Sequence, residues 1–145
     1  MKKFNKTGQK EVQKVPNSLK VWFVIHFVVD IVVAIPLFLL PETILGLFGW
    51  DGVDPVTTRL FAAALFGIGI ESYLVRDSGA EVYSGMLNLK IIWSTFAALA
   101  FLLSIIGGEV STNILIWLGL IVFVLFNFVW VYWKIRLNFI QKRRI

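Results

Sequence analysis

A chain of 145 residues that is 58% hydrophobic and 16% charged, with a mean hydropathy of +0.80, has too little polar surface for a water-soluble domain and suits a bilayer. It has no cysteine and a single histidine, His26. This excludes disulfides, thiolate metal sites, cysteine nucleophiles and any site that needs two histidines of one chain, and no cofactor or metal is expected. The formal net charge of +5 is concentrated in the ends: six lysines against one glutamate in residues 1–20, and Lys134, Arg136, Lys142, Arg143 and Arg144 in residues 134–145. Basic tails beside apolar spans predict anionic lipid headgroups as partners, and no motif points to nucleic acid.

Residues 1–17 read as a basic tail. The apolar run after them, about 20 residues, exceeds the ~7–15 of a signal-peptide core, so it is expected to be retained as a first span. That span is placed at residues 18–40, with Asn17 or Ser18 as its cap and Pro41 as its stop. His26 and Asp30 are four apart and share a helical face. Residues 41–53, PETILGLFGWDGV, are too apolar for a free loop and predict a short helix lying in the membrane interface.

Asp54-Pro55 opens a second span, residues 55–75, with Asp as N-cap and Pro in the first turn. Arg59, Ala63, Gly67 and Glu71 recur every fourth residue and predict a small-residue stripe for helix approach. Ser78-Gly-Ala-Glu81 has the pattern of a capping box and starts a third helix, residues 79–106. The short turn before it predicts that the second and third spans are antiparallel neighbours. Gly107-Gly108 ends the third, and Ser111, Thr112 or Asn113 caps a fourth, residues 112–134, whose one strongly polar member is Asn127. A basic tail, residues 136–145, follows. The expected fold is all-α: a polytopic four-helix transmembrane bundle with a short interfacial helix between the first two spans.

Both termini are basic, whereas the connection at 41–53 carries Glu42 and Asp51 and that at 107–113 carries Glu109. The positive-inside rule then predicts a multi-pass plasma-membrane protein with both termini cytoplasmic. On this topology His26, Asp30, Glu71, Asn88, Lys90 and Asn127 form a candidate polar cluster in the inner half of the bundle. Arg59 belongs at the outer face, paired with Glu42, Asp51 or Asp54. Charges at membrane depth cost at least roughly 2.5–3.5 kcal/mol each, so they should meet one another inside the bundle. The cluster reads either as a structural network that fixes helix order or as a pocket for a proton, a cation or a small amphiphile.

The run PETILGLFGWDGVDPVTTRLFAAALFGIGIESYLVR, followed by EVYSGMLNLKIIWS, resembles an uncharacterised family of small four-span prokaryotic integral membrane proteins. The marks are P-E before F-G, D-P-x-x-x-R-L at the start of span two, and L-N-L-K-I-I-W in span three. The resemblance implies four spans and a shared pattern that includes Arg59, Glu71, Asn88 and Lys90; it implies no activity. The leading expectation is a non-enzymatic accessory, assembly or lipid-interacting module with a mainly structural cluster. The alternative is a small oligomeric, proton-linked or cation/amphiphile transporter that uses intramembrane carboxylates, and a membrane enzyme comes third. A second copy of the chain or another membrane protein would complete the partners.

Overall fold

The computed structural model describes residues 15–50, 52–108 and 113–142. The basic residues 1–14, Asp51, the connection 109–112 with the expected caps Ser111 and Thr112, and Arg143 and Arg144 lie outside the described residues. The chain forms α1 (Asn17–Leu39), α2 (Pro41–Leu47), α3 (Pro55–Leu74), a single 3-10 turn (Val75–Asp77), α4 (Ala80–Ile106) and α5 (Ile114–Lys142). Four of these helices are long and apolar enough to cross a membrane, and the protein is an all-α multi-pass membrane bundle. Large apolar side chains point away from the bundle on every long helix, among them Val32, Leu60, Phe96 and Phe128. In water such a surface would aggregate; in hydrocarbon it is solvated.

Local chemistry sets the helix ends. Asp54 caps α3 as expected, accepting from the Val56 amide and from the Thr57 hydroxyl, with Pro55 in the first turn. Pro41 occupies the corresponding place in α2. Asn113 accepts from the Leu115 amide at the start of α5 and donates to the Phe48 carbonyl beyond α2 at 2.8 Å, tying the two segments at that end of the bundle. Two expectations are corrected. The first turn of α1 begins at Asn17 behind Pro16, with no side-chain cap. The 3-10 turn takes up residues 75–77, and Gly79, not Ser78, is the residue before α4. Past the expected span end near residue 134, α5 continues as one helix to Lys142. Its last turns carry a buried Leu137 beside the buried Trp133.

The helices associate as two close pairs, α1 with α3 and α4 with α5. The short connection makes α3 and α4 antiparallel, but α3 lays its closest face on α1. The side chains explain the choice. Ala34, Ala62 and Leu65 form a small-residue contact between α1 and α3, and Gly69 adds bare backbone. Between α3 and α4 the distal half is filled by Phe61 and Trp93, whose rings are 6.2 Å apart. At the other end, where the 3-10 turn lies, Phe23, Tyr83 and Trp130 close the bundle. That end also gathers Lys20 and Asp77 at 3.9 Å and the Lys134 ammonium on the Ser84 hydroxyl and carbonyl.

Candidate functional site

The stripe Arg59, Ala63, Gly67 and Glu71 does not make the helix contact. Ala63, Gly67 and Glu71 are exposed, and a Cβ at Gly67 would meet nothing within 4 Å. The buried face of α3 is Ala62, Leu65, Ile68, Gly69 and Ser72. Successive helical residues are rotated by about 100°, so a neighbouring small-residue row one position away faces a different partner. Asn88 is exposed as well. Glu71 and Asn88 therefore leave the expected cluster, while His26, Asp30, Lys90 and Asn127 remain associated with the interior.

Three of these residues form one contact chain. His26 Nδ1 lies 2.8 Å from Asp30 Oδ2, one turn on in α1, and 3.0 Å from Lys90 Nζ on α4. Lys90 Nζ also donates to the Ser72 hydroxyl of α3 at 2.7 Å, and Ser72 in turn donates to the Ile68 carbonyl. The ammonium stands 5.0 Å from the Phe23 ring centre and 4.9 Å from that of Trp130. Lys90 is only 1% exposed, so its three donors are used inside the protein. A shallow lysine free to reach the headgroups is not what the fold builds.

His26 Nδ1 is the shared atom, and it can serve one neighbour at a time. Carrying a proton, it donates to Asp30; bare, it accepts from Lys90 and leaves Asp30 Oδ2 without a donor. That oxygen is buried with no aligned hydrogen bond among the described residues. Edge-on contacts with Phe126 and Trp130, at 4.8 and 5.0 Å, hold the imidazole between its two partners. Asp30 is pressed against the backbone of Gly69.

Asn127 joins from α5 at one remove. Its amide donates to Ser94 Oγ, Thr95 Oγ1 and the Ile91 carbonyl of α4, and Ser94 donates to the Lys90 carbonyl. Every long helix thus supplies a polar group, but α3 supplies Ser72, not Glu71. Ser72 and Ser94 are not among the cluster residues expected from the sequence. The legible signal was spacing: Ser72 follows Gly69 by three, and Ser94 follows Lys90 by four.

Arg59 is also placed differently. Its Nε donates to the Phe38 carbonyl at 3.1 Å. Phe38 is in the last turn of α1, where carbonyls lack helical partners, so the guanidinium closes a helix end. Among the described residues Arg59 makes no ion pair with Glu42 or Asp54; the Asp54 carboxylate is committed to its own helix. Those two hydrogen bonds hold the Asp54 carboxyl below the usual carboxylate range, the Thr57 hydroxyl contributing most.

A cavity of about 260 Å³ lies between the two helix pairs, directly on the polar chain. His26, Asp30, Lys90 and Ser94 form its polar end. Its walls are Phe61, Trp93, Phe123 and Phe126 with aliphatic side chains of α1 and α5, and Phe101 and Gly119 also line it. An apolar chamber with a few convergent polar groups at one end is the usual form of a small-molecule site. Comparison of the chain with family models, with curated proteins and with solved structures finds no match.

Proposed function

We propose that this is a non-enzymatic, lipid-interacting membrane protein whose bundle holds one small amphiphile between its two helix pairs. The observation that carries the reading is the joining of an apolar cavity to a buried Asp30–His26–Lys90 chain. A purely structural network needs no empty volume beside it, since interiors otherwise pack to the density of organic crystals. A cavity lined by aromatic rings offers an apolar body its solvent, and the polar end fixes which way the molecule lies.

The charges at the bundle ends support a plasma-membrane orientation with both termini cytoplasmic. Lys20, Arg76 and Lys134 outnumber Asp77 and Glu81 at the end that holds the 3-10 turn, whereas Glu42 and Asp54 outnumber Arg59 at the other. Since the chain has no cysteine, single cysteines placed at Ser78 and at Gly52 report the sidedness by labelling in intact cells. Labelling at residue 52 and protection at residue 78 are expected; the reverse contradicts the orientation.

The binding reading is tested with a substitution that fills the chamber away from the polar chain. Val122 lines the cavity from α5. In lipid nanodiscs, a brominated fatty alcohol should quench the fluorescence of Trp93 and Trp130 in the wild type. Val122→Phe should lose that saturable quenching and keep its fold. Equal quenching in the two proteins contradicts the reading.

One observation favours a proton-linked carrier as the second reading: His26 Nδ1 stands within reach of an acid and a base, so a proton can sit on either side of it. Proton uptake on ligand binding, measured in weakly buffered solution, would separate carriage of protons from simple retention.

A further inference from the structure

We infer that the cavity selects amphiphiles without net charge that carry a hydroxyl or N–H donor, and that Asp30 is the group that receives the donor. The inference rests on the reading of the cavity as a binding site. It follows from how the charges are distributed around it.

Two cations do not stand 3.0 Å apart in a buried site, so His26 and Lys90 hold at most one positive charge between them. Asp30 supplies one negative charge, 2.8 Å from the same imidazole nitrogen. The polar end therefore has no cation to spare beyond the one that faces Asp30. A carboxylate or an ammonium brought into the cavity adds a charge for which the walls hold no partner, and low-dielectric surroundings penalise it. Phe61, Trp93 and Phe123 accept an uncharged body without that penalty.

Among the described residues that line the cavity, His26 Nε2 and the Asp30 carboxylate keep hydrogen-bonding capacity that no protein group takes up, and of the two Asp30 is the anionic acceptor. Lys90 spends its donors on His26, Ser72 and the faces of two rings. Ser94 donates to the Lys90 carbonyl and accepts from Asn127. Asp30 is 5% exposed, lines the cavity, and among the described residues has only His26 within reach of its carboxylate. Its Oδ2 is turned to His26, and its other oxygen has no protein donor among the described residues, so a hydroxyl or N–H of the ligand can serve it.

The test uses the full chain in nanodiscs of uncharged lipid, with octanol, octanoate and octylammonium competing against the brominated alcohol for the quenching of Trp93 and Trp130. Concentrations are referred to the fraction of each competitor in the bilayer. In the wild type, octanol should displace the brominated alcohol, and both charged compounds should do so about tenfold more weakly or worse. Asp30→Asn leaves the shape and removes the negative charge, so the cation that faces residue 30 is left without a counter-charge and octanoate should become the preferred competitor. Comparable displacement by all three in the wild type, or an order unchanged by Asp30→Asn, overturns the inference while leaving the cavity a binding site. Quenching that Val122→Phe does not reduce overturns the inference together with the cavity reading. Because the wild-type comparison needs no variant, poor folding of Asp30→Asn does not rescue the inference.

Discussion

Gly69 of α3 gives its backbone to Asp30 of α1: a side-chain carbon built at Gly69 would stand 2.7 Å from Asp30 Cβ and 3.1 Å from Oδ2. The clash at Cβ cannot be relieved by rotating a side chain; the two helices must move apart. Gly69→Ala should therefore destabilise the protein by about 1–3 kcal/mol, the range for forcing extra carbon into a packed interior. Gly67, two residues earlier, faces outward with nothing within 4 Å. Gly67→Ala should be neutral or stabilising, because alanine raises helix propensity by up to about 1 kcal/mol. Unfolding in mixed micelles measures both, and equal effects would deny Gly69 its special place.

Lys90 and Asp30 answer to the same balance of charge through His26. Lys90→Met removes the ammonium and leaves the buried Asp30 carboxylate with the His26 imidazole as its one basic neighbour among the described residues. The expected loss is about 3–5 kcal/mol, the cost of breaking a buried pair from one side. Adding Asp30→Leu to Lys90→Met should recover much of that loss, since both charges are then gone. A double-mutant cycle on the same unfolding assay checks the coupling, and additive effects would mean that the two residues do not act as a unit.

Asp54 predicts a pH dependence outside the membrane span. The Thr57 hydroxyl and Val56 amide lower its carboxyl from the ordinary 3.8, so the folded state favours the ionised form. Its contribution is fully present above that ordinary value and is lost as pH falls through the lower folded value. The difference in thermal midpoint between wild type and Asp54→Ala should be constant from neutrality down to about pH 5 and shrink in more acid solution. A difference that grows on acidification contradicts the capping role.

The four spans were legible because hydropathy and length alone decide them, and Asp54-Pro55 and Pro41 marked helix starts by chemistry that acts within one turn. The inner polar chain was legible in part. His26, Asp30 and Lys90 stood out because charge at membrane depth must be answered by charge. Glu71 was expected beside them and faces outward, because helix rotation depends on which small-residue row packs, and α3 has two. Ser72 and Gly69, on the row that does pack, carry no charge to draw attention. The pairing of α3 with α1 was equally hidden. A short turn fixes direction, but close approach depends on which faces are small, and Phe61 and Trp93 hold α3 and α4 apart where Ala34 and Ala62 let α1 and α3 meet. Arg59 was expected among acids and found at a backbone carbonyl, since helix-end carbonyls do not show in composition.

The central claim is that the space beside Asp30 holds a molecule. The most direct measurement is native mass spectrometry of protein released gently from its membranes, followed by extraction and identification of what it carried. The wild type should retain about one small uncharged amphiphile per chain, and Val122→Phe, purified in the same way, should retain none. A wild type that emerges empty from native lipid, or a Val122→Phe protein carrying the same molecule in the same amount, would contradict the account.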